Sequence, residues 1–253
     1  MPPRHVARRL AGRRITGVRR RGKLVLFDLD GGDVLVVSLR MTGQLLFRKS
    51  DAPPDLRVRG VIALSGGTEL RFADTRKFGR MAVVAADEIA HERGAAAGAA
   101  GAPLHAALGV EPLSRSFTAR WLAAFLARRS RAAIKPLLLD PRGIAGIGNI
   151  YDCEALWRAR IHPARAAGSL GAAETARLRE AIRWVLRKGI RLGGASRRDY
   201  LDARGRAGRM QREFQVYARA DRPCPRCGRA IVRSVQGGRA TFHCPRCQRA
   251  PAP

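Results

Sequence analysis

Cys224-x-x-Cys227 and Cys244-x-x-Cys247 bracket sixteen residues, Gly228 to His243, and no other feature of the sequence restricts its fold so tightly. Each pair sets two thiols on one tight knuckle, so the segment between the pairs must turn back on itself to bring the knuckles together. Ile231 to Ser234 and Arg239 to His243 read as the two strands of that return, joined by Gln236-Gly237-Gly238. Four sulfur donors at this spacing suit one tetrahedral Zn²⁺, with Cys224, Cys227, Cys244 and Cys247 as ligands; a redox dithiol or two disulfides are the alternatives. A closed four-thiolate shell leaves no position for a reacting water, so such a metal is structural. The hairpin's use then lies in what it displays, with Arg239 and Thr241 on one strand face. Cys153 has no partner in the sequence and reads as a small buried residue.

Residues Arg131 to Pro163 form the second informative stretch. Its first part, through Leu137-Leu138-Leu139, reads as a helix that Asp140-Pro141-Arg142-Gly143 stops. A second helix is predicted just after Gly148, with Ile150, Cys153, Leu156 and Trp157 on its buried face and His162-Pro163 at its close. Gly146 and Gly148 allow a tight backbone approach, and Asn149 stands where a helix N-terminus offers unpaired N–H groups, an arrangement that grips phosphate. Taken alone, the same residues read equally as an ordinary helical hairpin with a glycine turn.

The charge favours the first reading. Lys and Arg total 49 against 20 Asp and Glu, a formal net charge of +29 spread along the chain, and a polyanion is the natural partner. No apolar run is long enough for a membrane span, and the basic N-terminus lacks the apolar core of a secretory signal. Before the helical region the patterning is that of strands. After a short basic helix (Arg4 to Arg14) come Lys23–Leu29, Val34–Leu39, Leu45–Phe47, Val58–Leu64, Glu69–Phe72 and Met81–Val84, with turns at Asp30-Gly31-Gly32-Asp33 and Gly66-Gly67. Short strands at this spacing predict a β-sandwich or barrel. Ala- and Gly-rich residues from Glu92 to Gly109 read as a linker, a long helix is expected over Ala173–Leu192, and Ala195 to Arg212 reads as a mobile loop. The fold class is therefore multidomain α+β: a β-sandwich over 1–110, a helical domain over 111–212 and a zinc ribbon over 213–253.

Taken together, RRGKL (20–24), LRMTGQL (39–45), LRFADTRKFG (70–79), AIKPLLLD (133–140), GIGNIYDCEALWRARIHP (146–163), EFQVYAR (213–219) and GRATFHC (238–244) occur in an order that resembles the bacterial formamidopyrimidine-DNA glycosylase and endonuclease VIII family, from about Val18 onward. The resemblance implies an N-terminal β-sandwich, a helix-two-turns-helix domain and a zinc finger, with damaged or abasic double-stranded DNA as partner and its damaged base flipped out. By motif, Met41, Arg76 and Phe78 resemble the family's void-filling wedge; without the family, Met41 and Phe78 would read as sandwich-core residues. Lys23, Lys135, Asn149 and Arg239 resemble its phosphate contacts. Lys23 and Arg239 also resemble its proton donors in β- and δ-elimination. The loop around Ala195 to Met210 is the one that would read the flipped base. A monomer in the bacterial cytoplasm, associated with the nucleoid, is implied.

Family enzymes begin Met-Pro-Glu-Leu-Pro-Glu and use the N-terminal proline amine to attack C1′ as a Schiff-base nucleophile. Here RRGKL comes early, and Pro3 follows Pro2 where the glutamate belongs. Nucleophilic catalysis is sensitive to placement at the ångström scale, so the expectation is lesion binding with weak or absent lyase chemistry, Pro2 being the candidate nucleophile. Ser38 stands where the family often has histidine, and Arg57 and Arg59 replace histidines of another segment, arginine preserving phosphate attraction. An active glycosylase/AP lyase with a misplaced start, and a zinc-ribbon RNA- or ribosome-binding protein, are the alternative readings.

Overall fold

A computed structural model of the chain describes residues 3–91, 108–196 and 200–250. Its residues divide into two compact units, one drawn from 1–107 and 193–209, the other from 108–192 and 210–253.

The first unit begins with helix α1 (Pro3–Leu10) and continues as strands β1 (Ile15–Arg21), β2 (Leu24–Leu29), β3 (Asp33–Ser38), β4 (Gly43–Lys49), β5 (Val58–Leu64), β6 (Thr68–Asp74) and β7 (Arg80–Ala85), then helix α2 (Ala86–His91). All pairings are antiparallel, in a four-stranded sheet β1-β2-β3-β7 and a three-stranded sheet β4-β6-β5. Phe27, Leu29, Leu35, Val37 and Val83 of one sheet meet Leu70 and Phe72 of the other, which makes the expected sandwich core. Val6 and Leu10 of α1 join that core, and Arg9 fastens the helix by pairing with Asp33 and donating to the Val83 carbonyl. Strand β1 corrects the sequence reading, which had no strand there. Arg19, Arg20 and Arg21 hide its alternation, because an edge strand with one solvated face needs few apolar residues. The basic helix is also shorter than expected, ending at Leu10.

Within the stretch expected as a mobile loop, residues 202–206 are hydrogen-bonded to the sandwich and to one another. Phe47 N–H donates to the Ala203 carbonyl at 2.8 Å, and the Asp202 carboxylate accepts from the backbone of Arg204 and Arg206. Most of the expected 92–109 linker, residues 92–107, lies outside the described residues.

The second unit holds α3 (Ala119–Ala127), α4 (Ile134–Leu139), α5 (Asn149–Ala159) and α6 (Ala172–Arg191), then the hairpin β8 (Val232–Gln236) and β9 (Arg239–His243). Thr118 caps α3 by accepting the Trp121 N–H. Helix α4 starts at Ile134, three residues after the Arg131 at which the expected helical stretch begins, since Ala133 is still extended. Leu178, Ile182 and Val185 of α6 pack on Leu156 of α5, Leu122 and Leu126 of α3 and Ile134 and Leu138 of α4. Each such fully buried side chain contributes roughly 1.5–3 kcal/mol. The other face of α5 carries Cys153 and Trp157, which pack on Val216, Ile231 and Phe242, so the hairpin is built onto α5. Cys153 is the small buried residue it was read to be.

Among the described residues, no helix is long and apolar enough to cross a membrane.

Candidate nucleic-acid interface and metal centre

Two loops of the sandwich present the residues expected as the wedge. The turn between β3 and β4 carries Met41, 72% exposed, and the loop between β6 and β7 carries Arg76 and Phe78, the latter 51% exposed. Neither Met41 nor Phe78 lies in the sandwich core. One buried carboxylate, Asp74 at the end of β6, joins the loops. It accepts the Thr42 hydroxyl at 2.5 Å from the first loop, and the N–H groups of Arg76 at 3.2 Å and Gly79 at 2.7 Å from the second. Burial works against its charge, but these donors together outweigh it and hold the Asp74 carboxyl below its ordinary range. Arg40 and Lys77 take left-handed backbone conformations, at φ 52° and 59°, which is how each loop turns within so few residues. The Arg76 guanidinium lies 4.8 Å from the Phe78 ring centroid, which orients the pair. Gly79 is needed for space: a Cβ there would stand 2.3 Å from Phe72 Cζ.

Lys23 is exposed at the Gly22-Lys23 turn between β1 and β2, in the same unit. Pro2 lies outside the described residues.

In the helical unit Asn149 is held from both ends of its amide. Lys135 Nζ donates to its Oδ1, and its Nδ2 donates to the Ala240 carbonyl at 2.8 Å. That chain of bonds links α4, α5 and the hairpin, and it sets the exposed Arg239, next to Ala240, near the N-terminus of α5. By resemblance Lys135 is expected as a phosphate contact. Its side chain is fully buried, 3.3 Å from the equally buried Asp152, so it fixes Asn149 instead of reaching outward. Burial raises the Asp152 carboxyl to about 7, against the opposing pull of Lys135 and Arg239. Neither Asp152 oxygen has a hydrogen-bond partner of good geometry, the 3.3 Å pair being electrostatic.

Glu154, also buried, accepts the backbone N–H groups of Gln215, Val216 and Tyr217 at 2.9–3.1 Å. It fastens the strap leading into the ribbon onto α5. Burial raises its carboxyl despite those three donors.

The sulfur atoms of Cys224, Cys227, Cys244 and Cys247 lie within 4.8 Å of one another. Burial opposes ionisation of Cys224, yet the Trp157 indole N–H at 3.4 Å and two backbone N–H groups bring its thiol down to about 6. Cys247 is pushed up to about 12 by burial and by its thiol neighbours. Without a dication the four sulfurs compete for protons; a tetrahedral Zn²⁺ lets all four ionise, and the donor set fits it. His243 sits edge-on to His162, ring centroids 4.5 Å apart, and is not one of the clustered donors.

Residues 1–81 match the formamidopyrimidine-DNA glycosylase N-terminal domain, 108–200 the H2TH domain of the same enzymes, and 222–250 the zinc finger found in FPG and IleRS. The formamidopyrimidine-DNA glycosylase of Roseiflexus sp. is 49% identical over 240 residues, covering 95% of this chain and 83% of the relative. The chain belongs to the formamidopyrimidine-DNA glycosylase family. The MutM (FPG) protein of Thermus thermophilus matches at 42% identity and a TM-score of 0.81, covering 94% of this chain and 84% of that one. The Lactococcus lactis Fpg, solved with an abasic site containing DNA, matches at 32% identity and 0.85, covering 98% and 86%. The family's zinc-finger domain is present with its four cysteines, and it carries one structural zinc.

Three supporting residues of this family member escaped the sequence reading: Asp74, Asp152 and Glu154. Their only local signal is an acid inside an otherwise apolar or basic motif, and what each binds lies on another loop or element.

Proposed function

We propose that this chain is a DNA-repair protein that binds duplex DNA at a damaged or abasic nucleotide. The observation that carries the reading is the exposure of Met41 and Phe78 on two loops that share the buried Asp74. Burying such side chains is worth roughly 1.5–3 kcal/mol each, a gain the free protein leaves unused. A duplex with a base missing or turned out offers an apolar gap between ring faces, and entering it recovers that gain. Phe78 stacks, Met41 fills the gap, and Arg76 supplies a cation to the orphaned base. Phosphates are held by the Asn149 amide with the α5 N-terminus, by Arg239 and by Lys23, while Lys135 acts through Asn149. Family membership, and a relative solved on abasic DNA, support the same reading. The protein works as a monomer on nucleoid DNA in the bacterial cytoplasm, and Lys23 and Arg239 are the proton donors in any β- and δ-elimination.

Phe78→Ala tests the wedge. The preference for abasic over intact duplex should fall about 5- to 150-fold, from a stacking contribution of roughly 1–3 kcal/mol, with affinity for intact duplex nearly constant. An unchanged preference would remove Phe78 from the site. Asn149→Ala should instead weaken both duplexes alike with the log–log salt slope nearly unchanged, because a neutral amide releases no counterion, whereas loss of the Arg239 cation should lower that slope by about one unit; a loss confined to abasic DNA would contradict the phosphate assignment. Borohydride trapping on abasic duplex reads the lyase chemistry separately. An adduct that disappears when the Pro2 amine is blocked assigns the nucleophile, and its absence leaves lesion binding as the activity of this chain.

A further inference from the structure

Helix α5 has eleven residues, so its two ends lie roughly 16 Å apart. Asn149 is at one end. Around the other, Arg158 of α5, Arg160 just past its end, Arg187 and Arg191 of α6 and Arg226 of the first zinc knuckle line an open depression of about 1040 Å³. A second depression, of about 590 Å³, shares Arg160 and Arg226 and adds more arginines from the ribbon's far knuckle, so the two form one surface. The one acid lining either is Glu180, and it is paired with Arg179 on its own helix.

These guanidiniums are held as well as gathered. Arg158 lies 3.7 Å from the Trp184 ring centroid and Arg226 lies 4.1 Å from that of Trp157. Face-on stacking leaves the in-plane N–H donors of the guanidinium at its edges, where they can grip phosphate oxygens in pairs. Arg226 spends one donor on the Trp157 carbonyl. Burial and the nearby Arg226 charge both push Arg158 downward, so the cluster repels itself and gains from an anion. An acidic protein surface would normally bring an apolar anchor needing a pocket, and among the described residues the only large exposed apolar side chain here is Ile190.

We propose that this arginine surface binds the phosphate backbone of a second duplex segment while the Asn149 end of α5 holds the first. The proposal rests on the reading above for its first segment alone. A protein with two such surfaces passes between neighbouring duplexes without first dissociating, and bridges them when both are present.

The test is a capture assay. The zinc-loaded protein is bound to an immobilised abasic duplex, and capture of a second, labelled, undamaged duplex is measured. Capture is expected from the wild-type chain. Arg187→Gln/Arg191→Gln changes two exposed helix positions to a good helix former and should lower capture roughly 10- to 60-fold at 0.1 M salt, two counterion-releasing contacts being lost. Its affinity for the immobilised duplex should stay within twofold, and Arg187→Lys/Arg191→Lys should restore part of the capture. Absence of capture by the wild type, with the first duplex still bound, overturns the proposal. So does capture by the glutamine variant equal to the wild type, or a polyglutamate peptide that binds this surface where the second duplex does not. Failure to bind the first duplex at all would instead count against the reading of the Asn149 end.

Discussion

Serine in place of Cys244 is expected to release the zinc and reduce affinity for abasic duplex by at least a hundredfold. Cys244 is fully buried and its sulfur is one of four within 4.8 Å, so no other side chain can take its place in the tetrahedron. A structural zinc of this kind supplies about 10–16 kcal/mol of folding free energy to its module, and a two-stranded hairpin without it is marginal in water. Losing β9 removes Arg239 from its place and withdraws the Ala240 carbonyl from Asn149, so two proposed phosphate contacts fail together. The helical core should survive, because Leu122, Leu138, Leu156 and Leu178 pack without the ribbon. The measurements are zinc stoichiometry, far-UV circular dichroism and binding anisotropy. Retention of one zinc per chain, or affinity within threefold of wild type, would sink the expectation.

The second large effect is expected from Lys135→Met. Removing one partner of a buried ion pair typically costs about 3–5 kcal/mol, because the remaining charge has neither water nor counter-charge. Here the remaining charge is Asp152, whose carboxyl already stands at about 7 in the folded chain against an ordinary 3.8. Between those values the native state keeps a proton that the unfolded chain releases, so folding stability declines as pH rises through that window and levels off above it. Without Lys135 the folded-state value moves higher still. The cost of Lys135→Met should therefore be small at pH 5.5, where Asp152 is neutral, and full at pH 8.5. Adding Asp152→Asn should recover most of the loss at the higher pH, a coupling that urea titrations of the four proteins would measure. Equal costs at both pH values would show that Asp152 is not the group left behind.

The sequence revealed this site unevenly, for physical reasons. The cysteine knuckles and the start of α5 after Gly148 were legible because thiolate spacing and glycine turns act over a few residues. The sandwich was legible as a class, while β1 was not, since three consecutive arginines on a solvated edge carry no period. Lys135 illustrates a different limit. By motif Lys135 reads as a phosphate contact, and nothing within its own helix shows that Asp152 and Asn149, one helix later, are there to receive its ammonium. Glu154 is similar: its three backbone partners lie about sixty residues downstream. Within the stretch Ala195 to Arg212, read as a loop, the backbone hydrogen bond from Phe47 to Ala203 leaves no trace in side-chain pattern.

The contact between Gly79 and Phe72 reaches beyond the loop that contains it. Phe72 belongs to the sandwich core, while Gly79 closes the exposed loop that carries Phe78, and only the missing Cβ lets the two coexist. A larger residue at 79 can be accepted only if the ring at 72 shrinks, and a smaller residue at 72 leaves a void beneath the loop. The two positions are therefore free to vary only as a pair, and a library that randomises the Phe78 loop while keeping the interior fixed would recover glycine at 79 whatever property were selected.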